Sequence, residues 1–359
     1  MRTTSDTGTS APATVGAKVS AAAVARACGV SKATVSYVMN GRAGVSDETR
    51  KRIINAASEL GYRPPLGTRR DPLLTRVIGL ILPNIVNSMY TGWAQRIISI
   101  TRDEGFDVFV ATTDDDPDTL AQVTATLAAR NVDGVIIAAL MREDLRALRL
   151  LRQKRIPFVC LSRSADQLHG DFVGIDFDAS ASLLMNHVLS HGYREVATVI
   201  GPRFSTASLQ REIAFVRTAA EAGVVIDGNR KISTRLDNAG GRAAAKALLE
   251  SPNPPDVVMC GSDEIAIGVM EYALSKGLRI PEDLAVAGGD GLPHSRSAMV
   301  SLTTAIQPIN AMAERSWELL LDQITHPRST YHHVICEHRL HIGRTCGCTP
   351  DPQTVTPPD

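Results

Sequence analysis

Long apolar runs are missing from this chain of 359 residues. No stretch of about 18 apolar residues exists, so no transmembrane helix is expected. A secretory leader is missing too: "MRTTSDTGTSAPATVGAK" is rich in Ser, Thr and Ala and has no apolar core. Residues 1–17 read instead as a disordered tail. Catalytic signatures are absent, with no P-loop, no HExxH and no nucleophile–base–orienter set, so an enzyme is not expected. The six cysteines form no CxxC pair and no His-partnered zinc spacing. Cys28, Cys160, Cys260 and Cys336 read as reduced, buried thiols of a cytoplasmic protein. Cys346 and Cys348, in "TCGC", could make a redox or metal pair but read better as the end of a strand. The expectation is therefore no metal and no cofactor. The C-terminus also lacks leucine heptads, which favours a dimer over a coil-linked tetramer.

Net charge is missing as well, but the balance hides a division. From Lys18 to Arg76 eleven Lys and Arg face four Asp and Glu, whereas from Val77 onward 26 face 33. A basic head on an acidic body points to a polyanion partner for the head.

What is present begins with three short helical patterns. "SAAAVARACG" opens on a capping serine, closes on Gly29, and places Ala23, Val24 and Ala27 on one face. "VSKATVSYVMNG" is capped by Ser31 and buries Val35, Val38 and Met39. "VSDETRKRIINAASELGY" is capped by Ser46, has Asp47 and Glu48 in its first turn to suit the helix dipole, and buries Ile53, Ala56, Ala57 and Leu60. Only "CGV" separates the first two, the spacing of a helix-turn-helix. The second helix then turns outward Ser31, Lys32, Ala33, Thr34, Ser36, Tyr37 and Asn40. Hydroxyls, amides and helix N-terminal N–H groups suit phosphate oxygens, and a lysine at the helix start can reach guanine acceptors.

From Val77 the chain alternates buried strands with amphipathic helices, for example "VIGLILP", "FDVFVAT", "DGVIIAA" and "PFVCLSR" in a first half. "HGDFVGI", "VATVIG", "DVVMCG" and "LAVAGGD" follow in a second. This predicts parallel sheets with helices on both faces, in two lobes. Ligands bind outside the carboxyl ends of such strands, so the cleft between the lobes is the expected site. Asn87, Ser88, Met89, Tyr90, Ser162, Arg163, Asp176, Arg211, Ser262, Asp263, Asp290 and Gln307 all fall at strand ends. Arginines, carboxylates and an aromatic there suit a polyhydroxylated or heterocyclic small molecule. Arg211 and Asp290 stand out because neither has a sequence-local partner. Asp263 reads as a helix N-terminal charge and Trp93 as core. "TTDDDPDTL" has the wrong spacing for an EF-hand and reads as a solvated loop before a helix.

The head segments "VARACGVSKATVSYVMNG" and "VSDETRKRIINAASELGYRP" closely resemble the DNA-binding domain of the LacI/GalR (lactose-repressor) family of bacterial transcriptional regulators. "NVDGVII", "RIPFVCLSR", "SHGYREVATVIG", "PDVVMCGSDEIAIGVMEYALSKGLRIPEDLAVAGGD" and "SLTTAIQP" resemble the same family's effector domain, of type I periplasmic-binding-protein fold. The resemblance implies an N-terminal all-α helix-turn-helix domain (18–63), a hinge or linker (64–76), a two-lobed α/β domain for effector binding and dimerisation (77–345) and a flexible tail (346–359). It implies a repressor that binds a palindromic double-stranded operator as a homodimer, controlled by a small molecule of the carbohydrate class, with no membrane partner. By the resemblance Lys32, Ala33 and Tyr37 read bases, while Ser31, Thr34, Ser36 and Asn40 face phosphates. Arg69 in the linker is a further phosphate contact. Tyr90, Arg163, Arg211, Ser262, Asp290 and Gln307 stand at effector positions. The chain also departs from the family. Tyr37 replaces a common arginine, and Asp71-Pro72 replaces the hinge leucine. Ser88-Met89 replaces Pro-Phe, Ser162 replaces Asp, Ser262 replaces Asn and Gly291 replaces a second Asp. The competing readings are a solute-binding protein and a sugar-converting enzyme. A gel shift with duplex DNA separates all three.

Overall fold

The computed structural model describes residues 20–39, 45–60, 74–165 and 168–349. The expected N-terminal tail, Asn40, Arg69 and the Asp71-Pro72 pair lie outside them. The chain divides into two units, with the boundary between Leu74 and Thr75.

The first unit is a three-helix cluster: α1 (Ala21–Cys28), α2 (Lys32–Met39) and α3 (Asp47–Glu59). Gly29 takes φ +63°, and its N–H returns to the carbonyls of Ala25 and Arg26. The Val30 N–H closes on Ala25 at 3.0 Å. Nothing would crowd a Cβ at Gly29, so the glycine is there for its backbone conformation alone. The core is Val24, Ala25, Cys28, Val35, Val38, Ile53 and Ala57. The stripe of α1 is therefore rotated by one residue from the expected one: Ala27 is exposed, while Ala25 and Cys28 face inward. Small alanines on both faces left the sequence pattern nearly degenerate. Leu60, expected inside, is exposed.

The second unit holds two six-stranded sheets. The first uses β1 (Val77–Leu82), β2 (Asp107–Thr112), β3 (Gly134–Ile137), β4 (Phe158–Leu161), β5 (Asp171–Ile175) and β11 (His333–Cys336), in the order β11-β5-β4-β3-β1-β2. The second uses β6 (Val196–Ile200), β7 (Lys231–Ser233), β8 (Val257–Cys260), β9 (Ala285–Gly288), β10 (Thr303–Ile306) and β12 (Arg339–His341), in the order β12-β10-β9-β8-β6-β7. All described pairings are parallel except β10 with β12. Helices α4 (Ser88–Asp103), α5 (Pro117–Ala129) and α6 (Arg146–Gln153) serve the first sheet. Helices α7 (Phe177–Leu189), α8 (Thr206–Glu221), α9 (Asn238–Leu249) and α10 (Asp263–Ser275) serve the second. The final helix, α11 (Ile309–Thr325), returns to the first, where it packs on α4 and on β3 to β5.

Three boundaries differ from expectation. "HGDFVGI", expected to open the second half, supplies β5 to the first sheet by pairing with β4. The chain crosses between lobes three times, and strand periodicity carries no information about which sheet a strand joins. Thr75 and Arg76, expected in the linker, belong to the second unit. Asp133 accepts from both backbone N–H groups, at 2.9 and 2.7 Å. The expected flexible tail does not begin at 346, because Cys346 is fully buried against α7 and β6. Among the described residues no helix is long and apolar enough to cross a membrane.

Candidate functional site

In the first unit the outward face of α2 is the candidate. Val35 and Val38 fix its other side in the core, leaving Ser31, Lys32, Ala33, Ser36 and Tyr37 exposed and Thr34 half-buried. The Ser31 hydroxyl accepts from the Thr34 N–H at 3.0 Å and lies 2.8 Å from its hydroxyl. Ser31 is thus the N-cap of α2, and both hydroxyls sit at the N-terminal end of the helix, a favourable setting for a phosphate oxygen. Lys32 and Ala33 occupy the first turn, where a helix entering a groove presents its side chains deepest.

In the second unit the candidate lies between the two sheets, at their carboxyl ends. Tyr90, one turn inside α4, and Arg163, just after β4, come from the first lobe. Arg211 in α8, Ser262 and Asp290 come from the second, with Gln307 just after β10. All six expected residues line one cavity, joined by Asn87, Trp93, Ser205, Ser208 and Leu236. Sequence reading missed Ser205, Ser208 and Leu236, whose places depend on how the lobes meet.

Two arginines organise the site. Arg163 is 2% exposed. It donates to Asp115 at 2.5 Å and to the Tyr90 hydroxyl at 2.9 Å. Burial opposes its charge, but Tyr90 and Asp115 more than compensate and hold it firmly protonated. Asp115 was read as part of a solvated loop. Its φ is +58°, and its guanidinium partner is Arg163, while its neighbour Asp116 caps α5. Arg211 and Asp290, which lacked local partners, are each other's partner, at a looser 3.5 Å. Arg211 also donates to the Gly289 carbonyl at 2.9 Å and stacks on Phe177, 4.6 Å from the ring centre. Here burial dominates: it lowers the Arg211 pKa and raises the Asp290 carboxyl to about 7, with Arg211 pulling the latter back. Gln307 donates to Asp290 at 2.8 Å. The Arg163 pair is therefore self-compensated, whereas the Arg211–Asp290 pair retains unspent polar capacity.

The other expected residues take quieter roles. Ser262 caps α10 by accepting from the Ile265 N–H at 3.2 Å. Asp263 accepts from Thr304 and from the backbone of Asp290 and Leu292, so it holds the second lobe's loops together. Asp176 caps α7. Trp93 packs in the core beside Tyr90, with ring centres 5.8 Å apart. Three lining groups nevertheless have no protein partner among the described residues: Trp93 Nε1, Ser205 Oγ and Gln307 Oε1. Buried polar atoms are rarely left so. Hydrogen bonds also cross the cleft, from Asn87 to the Leu236 carbonyl at 3.1 Å and from Ser88 to Glu264 at 3.1 Å. The remaining space is about 30 Å³, roughly one water molecule. A metal set was not expected, because the spacing shows none. The fold nonetheless brings His187, His191, Cys346 and Cys348 together away from this cleft.

A helix-turn-helix unit followed by a two-lobed α/β domain is the architecture of a class of DNA-binding regulators. Comparison with known proteins makes this specific. A family model described as "Bacterial regulatory proteins, lacI family" matches residues 22–65, and one for a periplasmic binding protein-like domain matches residues 185–346. The HTH-type transcriptional regulator DegA of Bacillus subtilis (strain 168) is 32% identical over 296 residues, covering 81% of this chain and 88% of DegA. The ribose operon repressor of Halalkalibacterium halodurans (strain C-125) is 31% identical, over 87% of this chain and 92% of its own. The solved "transcriptional regulator CelR-cellobiose complex" superposes with a TM-score of 0.69 at 26% identity, covering 91% of this chain and 99% of its own. The chain belongs to the lacI family of bacterial regulatory proteins. It is a DNA-binding transcriptional regulator and not an enzyme.

Proposed function

We propose that this regulator is a cytoplasmic repressor that binds a palindromic operator as a homodimer and releases or tightens its grip in response to a carbohydrate. α2 enters the major groove. Lys32, Ala33 and Tyr37 meet base edges there, while Ser31, Thr34, Ser36, Asn40 and Arg69 face phosphates. Tyr37 cannot make the bidentate guanine contact of an arginine, so the base preference at that position is its own.

The carbohydrate contacts Tyr90, Arg163, Arg211, Ser262, Asp290 and Gln307. The observation that carries this reading is the set of three buried polar atoms without protein partners, on Trp93, Ser205 and Gln307, around the loosely paired Arg211 and Asp290. An indole N–H donor, a hydroxyl and an amide oxygen acceptor line the same cavity, a mixed set that suits hydroxyl groups. A sugar is far larger than the space between the closed lobes, so its entry separates them and breaks the bonds across the cleft. The two binding events are thereby coupled, and the coupling is reciprocal.

A gel shift tests this, using duplexes enriched by the protein from a random pool, with and without cellobiose or ribose. The expected result is a sequence-preferring complex whose affinity changes with one carbohydrate. The Arg211→Ala variant should bind the duplex like the parent but no longer respond. Absence of sequence preference at low salt overturns the operator reading. A response that persists in Arg211→Ala overturns the assignment of the cleft.

A further inference from the structure

The strongest unassigned feature is the cluster of His187, His191, Cys346 and Cys348. His187 lies in the last turn of α7, and His191 follows four residues later, just before Gly192 at φ +91°. Their side chains thus leave the same side of the helix end. Cys346 and Cys348 come from the opposite end of the domain sequence, beyond β12. Gly347 between them has φ +99°, a conformation that L side chains rarely adopt. A Cβ there would stand 3.2 Å from the Tyr193 hydroxyl. This turn aims both thiols at one point. The hydroxyl of Tyr193 donates to the Cys346 carbonyl at 3.1 Å, and that of Thr303 donates to its sulfur at 3.0 Å. The cysteines are not joined as a disulfide.

Three of the separations are already those of a coordination sphere. His187 Nε2 lies 3.5 Å from Cys346 Sγ and 3.6 Å from Cys348 Sγ, and His191 Nε2 lies 3.3 Å from Cys348 Sγ. All four ligand atoms lie within 4.8 Å of one another. A tetrahedral Zn²⁺, with Zn–S about 2.3 Å and Zn–N about 2.0–2.1 Å, sets edges of roughly 3.4–3.8 Å between ligand atoms. Weak S–H to imidazole hydrogen bonds alone need no such convergence of four groups from two distant segments.

We propose that His187, His191, Cys346 and Cys348 form a structural Zn²⁺ site that fastens the C-terminal segment to the end of α7. Two thiolates and two imidazoles are a soft-to-borderline set that suits zinc, and four protein ligands leave no position for substrate. The Thr303 hydroxyl orients the Cys346 sulfur from outside the sphere. Binding replaces two thiol protons by the metal and involves no change of oxidation state. The site is independent of the cleft and of the operator reading.

The test is a titration of the full-length, untagged, reduced and chelator-treated protein with Co²⁺, followed by displacement with Zn²⁺. The expected result is saturation at one equivalent per chain, with the intense visible absorption of a tetrahedral site and a thiolate charge-transfer band. Zn²⁺ should abolish both and raise the melting temperature of the second unit. Cys348→Ser should lose about half of the charge-transfer intensity. His191→Ala, at an exposed position, should weaken Co²⁺ by about tenfold or more while its circular dichroism stays that of the parent. Failure to saturate near one equivalent overturns the proposal. So does a Co²⁺ spectrum unchanged in both variants. So too does a protein isolated with a Cys346–Cys348 disulfide that takes up no metal after reduction.

Discussion

The two units place their candidate site residues in opposite ways. On α2 of the head, Lys32, Ala33, Ser36 and Tyr37 stand on the surface of one short helix. In the body, Arg163, Arg211, Asp290 and Gln307 are each less than one-tenth exposed. Arg163 leans on Asp115 and Tyr90, and Arg211 and Gln307 lean on Asp290, across long stretches of sequence. A reading head for a large polyanion keeps its contacts open to be met. A sensor for a small molecule keeps its contacts inside, where water does not compete and each polar group counts for more.

The sharpest way to break this comparison is to remove one buried body residue and one head residue and see whether the damage stays local. Arg163→Ala leaves Asp115 and the Tyr90 hydroxyl without their shared donor. It should lower the stability of the body by about 3 kcal/mol, read by urea unfolding, while leaving α-helical signals of the head in place. Equal stability would mean that solvent reaches Asp115 freely enough to replace the guanidinium. Val35→Ala removes a fully buried side chain from the head core. Its expected cost is about 2 kcal/mol. Duplex binding should weaken while the thermal shift caused by carbohydrate is retained. Loss of both would show that the units do not fold separately.

Lys32→Ala sharpens the head side of the contrast. Discrimination at one operator position should fall by about 1–3 kcal/mol, with the rest of the sequence preference kept. A uniform loss on all duplexes, with a shallower salt dependence, would confine Lys32 to phosphate contact.

The last test probes the body through pH. The folded-state pKa of Asp290 stands at about 7, above its ordinary carboxylate value, chiefly because of burial. Between the two values the folded protein keeps a proton that the unfolded chain has released. This group's contribution is therefore greatest at low pH and is lost as pH rises towards 7. The melting temperature should decline over that range, and Asp290→Asn should flatten the decline. A parallel decline in both proteins would mean that Arg211 keeps Asp290 ionised throughout.

The same contrast explains what could be read from the sequence. The helix-turn-helix was legible because every signal in it is local: Ser31 and Ser46 cap, Gly29 stops, and Val35 with Val38 gives the period. Even there the alanine-rich α1 was misplaced by one residue, since Ala23, Ala25 and Ala27 differ too little in hydrophobicity to choose a face. In the body the strand ends pointed to the right neighbourhood, and all six expected effector residues line one cavity. The partnerships inside it were not legible. Asp115 looks like one aspartate of four in a loop; it follows β2, Arg163 follows β4, and the sheet order that brings the two loops together is not written in either segment.

By itself, then, the sequence determined the helices, the strand-and-helix alternation, the polar outward face of α2 and the lacI-family character, because caps, stops and hydrophobic periods act over a few residues. Only the tertiary structure decided that "HGDFVGI" completes the first sheet, that Arg211 meets Asp290, and that His187 and His191 meet Cys346 and Cys348. Those outcomes depend on strand order and chain crossings between lobes. They join residues that are tens to more than a hundred positions apart, a separation over which no local preference acts.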